Sequence, residues 1–233
     1  MTSPDGSRPD VGVVIVAAGA GARAGPGEPK QFRPILGVPM LLRALRPFTS
    51  HPKVGHVVVA LPPGFETRPP DWLAKLVGER LVLVAGGATR AHSVRAGLRA
   101  LPEQAAIVLI HDGARPFVAR ETIDGVVAKA REGVGAVAAI PVSDTVKDVE
   151  QDRITRTVAR ERLWRAQTPQ GFPRDMIARA YAGLDSESTP TDDAELCERA
   201  GLPVKIVPDS PYNLKVTTAE DFRIAEALAR ELR

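Results

Sequence analysis

"VGVVIVAAGAGARAGPGEPKQF", residues 11–32, joins an apolar run to a glycine-rich loop. A continuous apolar run, with no polar alternation, fits a strand covered on both faces, as in a parallel sheet. The loop after it carries Gly19, Gly21, Gly25 and Gly27, with Pro26 and Pro29 among them, and then the side chains Arg23, Lys30 and Gln31. In open α/β sheets ligands bind beyond the carboxyl ends of the strands, so this loop lies where a ligand is expected. Glycines let backbone N–H groups converge on an anion, and Arg23 and Lys30 supply charge for a polyphosphate. Two common phosphate motifs are nevertheless missing. The prolines oppose the helix start that a G-x-G-x-x-G fingerprint needs, and Lys30 is followed by Gln31 instead of the serine or threonine of a P-loop. Glycine content alone would equally suit a solvated turn.

The rest of the chain repeats the rhythm. Short apolar runs at 56–61, 81–85, 106–110, 134–140 and 204–207 alternate with helix-like stretches at 38–48, 71–77, 90–101, 119–131, 174–183, 191–200 and 218–232. Such alternation predicts βαβ units: an α/β, Rossmann-like, mostly parallel sheet flanked by helices. One stretch departs from it. "SDTVKDVEQDRITRTVARERLW", residues 143–164, alternates weakly around an EQD turn and has too little apolar surface for a core hairpin. It reads as a projecting β-arm at about 143–165. Because an exposed two-stranded ribbon is marginal alone, the arm should pack on a partner subunit; the alternative is a surface excursion tied to its own chain.

Composition narrows the function classes. With 233 residues, 44% hydrophobic and 25% charged, the chain suits one soluble domain, 1–233. The formal charge of +3, without a Lys/Arg-dense segment, suits a small polyanion better than nucleic acid. The N-terminus lacks an apolar signal region, and no stretch approaches the ~20 apolar residues of a membrane span. Cys197 is the single cysteine, and His51, His56, His92 and His111 show no metal-ligand spacing with it. The expectation is a cytoplasmic protein without membrane or nucleic-acid partners.

Seven blocks, in order, carry a resemblance: the loop itself, "GGATRAHSV" (86–94), "IHDGARPFV" (110–118), "PVSDTVK" (141–147), "TVARERLWRAQTPQGF" (157–172), "TDDAE" (191–195) and "NLKVTTAEDF" (213–222). Together they resemble the sugar-phosphate nucleotidyltransferases, in particular the 2-C-methyl-D-erythritol 4-phosphate (MEP) cytidylyltransferases. The resemblance implies transfer of CMP from CTP to MEP with release of pyrophosphate. It implies magnesium bound mainly through the CTP phosphates, and a homodimer formed through the β-arm. Arg23, Lys30 and Lys215 are the implied catalytic cations. Ala17, Ala18, Gly19, Gly21, Gly86, Gly87 and Ser93 are implied in CTP binding, with Ala88 where many relatives carry an acidic residue. Asp112, Arg115, Thr145, Arg160 and Thr168 are implied in substrate binding, Thr145 and Arg160 across a two-fold axis in the partner's site. Asp112 would also hold magnesium, directly or through water. His111 is expected to be structural, since the chemistry needs no imidazole. A ribitol 5-phosphate cytidylyltransferase is the nearest rival, and a non-catalytic nucleotide-binding protein a more distant one. The chain ending at Arg233 leads us to expect no fused downstream synthase domain.

Overall fold

The computed structural model describes residues 9–19, 29–184 and 189–232. Arg23 and Gly21 therefore lie outside the described residues. Strand β1 (Val11–Val16) is followed by a 3-10 turn (Lys30–Phe32), a small ribbon of β2 (Pro34–Ile35) and β3 (Val38–Pro39), and helix α1 (Met40–Thr49). Next come β4 (Val54–Leu61), α2 (Asp71–Ala74), β5 (Leu81–Ala85), α3 (Arg90–Ala100), β6 (Ile107–Asp112), α4 (Arg120–Arg131) and β7 (Gly135–Pro141). The arm strands β8 (Val146–Glu150) and β9 (Arg153–Val158) precede β10 (Trp164–Pro173), α5 (Arg174–Ala182), α6 (Asp193–Arg199), β11 (Val204–Pro208) and α7 (Ala219–Glu231).

The main sheet has the order β11-β7-β10-β6-β1-β4-β5. The chain leaves β1 toward β4 and β5 and then returns to place β6 on the other side of β1, so a topological switch point falls between β1 and β6. Their register sets Val16 beside Asp112 at the two carboxyl ends. All pairings in this sheet are parallel except those of β10, which runs antiparallel to both β6 and β7.

The apolar run of β1 is explained by two-sided burial. Val11, Val13 and Ile15 join one core with Leu41, Leu45 and Phe48 of α1 and Ile123, Val126 and Val127 of α4. Val14 faces the other core, with Val94 of α3, Met176 and Ile177 of α5, and Cys197 of α6. The helices supply matching stripes: α1 buries Met40, Leu41, Ala44, Leu45 and Phe48, a helical spacing. Among the described residues no helix is long and apolar enough to cross a membrane.

Strand β10 is absent from the sequence expectations, which contain no strand between the arm and the run at 204–207. Its segment "WRAQTPQGFP" is polar and carries two prolines, features that argue against a central strand. Its pairing with β7 shifts register between Ala166 and Gln170, a gap that contains Pro169. Gln167, Thr168 and Gln170 are buried: Gln167 Nε2 donates to Asn213 O at 2.9 Å, and Thr168 and Gln170 find the polar partners described below. The ribbon β2–β3 is likewise unforeseen; Leu36 and Gly37, both at positive φ, form its two-residue turn.

The arm takes the expected shape. Strands β8 and β9 pair around Gln151 and Asp152, both at positive φ, a primed hairpin turn. They form a sheet of their own. Val149 and Ile154 are 53% and 59% exposed, and Trp164 at the arm's base is also exposed.

Close packing of α3 on β1 yields a test. Alanine is intrinsically better than glycine inside a helix by about 1 kcal/mol. At Gly97, however, a Cβ would meet Val14 Cγ1 at 2.4 Å in the packed core. Overpacking should win, so Gly97→Ala should lower stability by roughly 1–3 kcal/mol in denaturant unfolding. A gain in stability would contradict this packing.

Candidate functional site

A cavity of about 580 Å³ opens at the switch point. Ala17, Ala18 and Gly19, after β1, form one wall, and Gly87, Ala88 and Thr89, before α3, form another. Lys30 and Gln31 enter from the 3-10 turn, Asp112 from the end of β6, and Lys215 from the segment preceding α7.

The local sequence explains these placements. A Cβ on Gly86 would lie 2.2 Å from Ala18 Cβ, so only glycine lets the loop after β5 approach the loop after β1 this closely. Gly86 thus sits behind the wall. Gly87 N donates to Ser93 Oγ (3.1 Å), and Ser93 Oγ donates to Thr89 O (3.0 Å). Ser93 is therefore first of all the brace of this turn, and its single proton is already engaged. Thr89 caps α3 by accepting from His92 N at 3.2 Å, and the helix start faces the cavity, where its N–H groups favour an anion.

Asp112 is the centre of the electrostatics. Arg90 Nε lies 3.1 Å from Oδ1, Lys215 Nζ 2.8 Å from Oδ2, and Arg115 Nε 3.9 Å from Oδ2. Burial opposes ionisation of this carboxyl, which is 6% exposed, but the cations of Arg90, Lys215 and Arg115 outweigh burial and hold its pKa well below the usual carboxylate range. Arg90 also reaches Asp193 Oδ2 at 2.8 Å. Asp193 is fully buried; Tyr181 Oη donates to its Oδ1 at 2.6 Å, and Gln170 Oε1 accepts from the N–H groups of Asp193 and Ala194.

Below the cavity lies a second polar layer. His111 Nε2 faces the carbonyl of Arg115 at 3.0 Å, and His111 Nδ1 faces Thr168 Oγ1 at 3.0 Å. Since a carbonyl only accepts, Nε2 carries the proton; Nδ1 accepts from the Thr168 hydroxyl, which in turn accepts from Asp112 N at 3.0 Å. Burial pushes the His111 pKa down to about 4, in keeping with this neutral tautomer. Arg115 Nη1 donates to Asn213 O at 2.7 Å and Asn213 Nδ2 to Thr168 O at 2.7 Å. These bonds tie the Lys215 segment to β10, and Val216 N to Ala114 O (2.8 Å) completes the attachment. Lys30 Nζ donates to Val216 O at 3.2 Å, so the loop lysine meets the same segment.

Of the residues implied by the sequence, Ala17, Ala18, Gly19, Lys30, Gly87, Ser93, Asp112 and Lys215 surround one cavity. Gly86, Arg115 and Thr168 support it from behind. Thr145 and Arg160 are exposed on or beside the arm and do not line the cavity of their own chain; Arg160 Nη1 donates instead to Ser143 O. Sequence reasoning passes over Arg90 and Asp193, although both sit in blocks quoted for the resemblance. A signal exists: two acidic residues and an arginine in motif positions, each needing an opposite charge if buried.

A site with this shape can hold a polyphosphate against a second anion, which is the requirement of a nucleotidyltransferase, and the parallel sheet with its switch-point loop belongs to that class. The family model described as IspD, 2-C-methyl-D-erythritol 4-phosphate cytidylyltransferase, matches residues 11–231. A MEP cytidylyltransferase of Salinibacter ruber is 43% identical over 221 residues, covering 93% of this chain and 91% of its own. The crystal structure of the MEP cytidylyltransferase from Thermus thermophilus is similar with a TM-score of 0.78 at 37% identity, over 95% of this chain and 99% of that one. The 4-diphosphocytidyl-2C-methyl-D-erythritol synthase structure from Anaerococcus prevotii gives 0.81 at 30% identity, over 94% and 98%. The chain belongs to the MEP cytidylyltransferase family.

The His111 arrangement has a measurable consequence. Its folded pKa of about 4 lies below the ordinary 6.5, so the unfolded chain takes up the proton first as pH falls. Stability from this group is complete above pH about 6.5 and declines toward pH about 4, by roughly 3 kcal/mol over the window. An NMR titration of the ring in the folded protein should find its midpoint near 4. A midpoint near 6.5 would contradict the hydrogen-bonded neutral ring.

Proposed function

We propose that the protein transfers CMP from CTP to MEP, giving 4-diphosphocytidyl-2-C-methyl-D-erythritol and pyrophosphate in isoprenoid precursor synthesis. The observation that supports this most is the meeting of Lys30, Lys215 and Arg90 around the Asp112 edge of one cavity, where two anions must be brought together. A phosphate oxygen of MEP attacks the α-phosphorus of CTP in line; a P–O bond forms there as the bond to pyrophosphate breaks. The attacking phosphate is already ionised, so no covalent nucleophile or general base is required. The protein's task is to align the reactants and to stabilise the charge that grows on the α-phosphate and the leaving group. Lys30 and Lys215, with Arg23 from the loop, serve that charge. Asp112 spaces the cations and accepts from Lys215, which fixes the ammonium while the site waits for substrate.

Magnesium suits this wall in a limited way. Among the described residues Asp112 is the one carboxylate lining the cavity, and no cluster of three or more His, Cys, Asp or Glu could hold a metal. One ionised carboxylate with lone pairs left over from Arg90 and Lys215 fits an ion carried mainly by the triphosphate, bound to Asp112 directly or through water. When present, magnesium would offset part of the negative charge of the triphosphate and make its α-phosphorus more electrophilic.

The wall at Gly87 and Ser93, backed by Gly86, faces the base in this reading, with backbone groups at Ala88 answering the cytosine amino group. The arm serves a homodimer: its exposed Val149, Ile154 and Trp164 cover a partner, and Thr145 and Arg160 bind the MEP phosphate in the partner's site, for which an arginine fork is well shaped. Residues 1–233 act as one catalytic domain in the cytoplasm, where the single buried thiol of Cys197 stays reduced.

Pyrophosphate release should require CTP and MEP and fall steeply with UTP, while ribitol 5-phosphate used in preference to MEP would overturn the assignment. Lys30→Ala should cost about 10²-fold or more in turnover with the fold intact; activity within a few-fold of wild type would remove Lys30 from the mechanism.

The shared-site arrangement has its own test. Lys30→Ala and Arg160→Ala homodimers should each be nearly inactive. Co-refolded together they should regain roughly a quarter of wild-type activity, since about half the dimers are mixed and each mixed dimer holds one intact site. No recovery, with mixing confirmed, would place Arg160 outside the partner's site.

A further inference from the structure

Gln31 carries a buried amide nitrogen without a partner among the described residues. The residue is 2% exposed and lines the cavity, yet its Nε2 finds no hydrogen-bond acceptor among the described residues. Buried donors are nearly always paired, and an orphan one opposes folding. The surroundings keep Gln31 in place. Phe32 N donates to Pro29 O at 2.9 Å and Arg33 N to Lys30 O at 3.2 Å, which closes the 3-10 turn. The Phe32 ring packs against Phe65 and Trp72, with centroids 5.1 Å and 6.3 Å away.

We propose that Gln31 is a nucleotide-binding residue whose carboxamide nitrogen donates to a phosphate oxygen of the bound nucleoside triphosphate, beside the Lys30 ammonium. The proposal rests on the nucleotidyltransferase reading above. The last torsion of a glutamine is broad, so Nε2 can turn toward the cavity without changing the rest of the side chain. The chemistry suits a neutral donor: Lys30, Arg90 and Lys215 already share this cavity, and another cation would repel them in the empty site. An amide adds direction without adding charge. Every oxygen of a triphosphate is an acceptor, so bound nucleotide supplies the partner that the described residues do not.

The signature is a protein that is less stable empty than it could be. Gln31→Met keeps the length of the side chain and removes its polar atoms. Without ligand this variant should melt at or above the wild-type temperature. In calorimetry with CTP and magnesium its Kd should rise about ten- to a hundred-fold, with the KM for MEP unchanged. Gln31→Glu keeps the shape but replaces the donor with a negative acceptor, and should bind CTP more weakly still. A lower melting temperature with wild-type CTP affinity would make Gln31 a structural part of the turn and overturn the proposal. A rise in KM for MEP alone would give the donor to the other phosphate and overturn it too. Should Gln31→Met fail to fold, wild-type CTP affinity in Gln31→Glu is the overturning result. A wild-type protein that binds no CTP would bring down the functional reading and this residue's role together; loss confined to the variants supports both.

Discussion

An ionised carboxylate held out of water at the end of a central strand is the constraint around which this molecule is arranged. Asp112 is nearly buried, and burial alone opposes its charge. It stays charged because cations arrive from three directions: Arg90 from the start of α3, Lys215 from the segment before α7, and Arg115 from the turn after β6. Each of those elements is in turn fixed by what the cations need. Arg90 is shared with Asp193, which α6 and the Gln170 amide of β10 hold in place. Removing Arg90 would leave the fully buried Asp193 carboxylate without its cation, a larger penalty than the pair's net worth. The site's geometry and the packing of its outer elements are thus one electrostatic problem. The solution leaves a carboxylate and two lysines facing a cavity that can take a polyanion.

How far this was legible in the sequence depends on which force shapes each part. The run 11–16 and its counterparts are written in apolar side chains, so two-sided burial and the parallel sheet can be read directly. The loop's position beyond β1 follows from the same pattern, as do Lys30 and the walls at Ala17–Gly19. Strand β10 is a different case. Gln167, Thr168 and Gln170 are buried by hydrogen bonds to residues 22 to 57 positions away, such as Asp192 and His111, and no local periodicity encodes such partners. The same holds for Arg90, whose two carboxylates lie 22 and 103 residues further on. Polar networks become visible only when the fold supplies the second member. The structural role expected for His111 followed from chemistry that had no use for an imidazole, and its neutral ring in the layer beneath the cavity gives that role a physical content.

Motif order and motif function are also distinct. The blocks at 86–94, 110–118 and 213–222 converge on the cavity, so their spacing in the chain reflects loops at one edge of a sheet. The blocks at 141–147 and 157–172 divide: their shared portion runs into the arm, while the Thr168 end turns back beneath Asp112. A single stretch of sequence therefore serves two places, and a reading by blocks alone would treat it as one.

The arm's attachment has an evolutionary meaning. Its two ends leave from β7 and β10, which are neighbours in the sheet, and the pairing of Pro141 with Trp164 and of Val142 N with Leu163 O clamps them together. Everything between these clamps can lengthen, shorten or change its surface without moving the register of β10, on which the floor beneath Asp112 depends. Length and surface can therefore vary at the tip of this ribbon, around Gln151 and Asp152, while the floor beneath Asp112 keeps its place in the sheet.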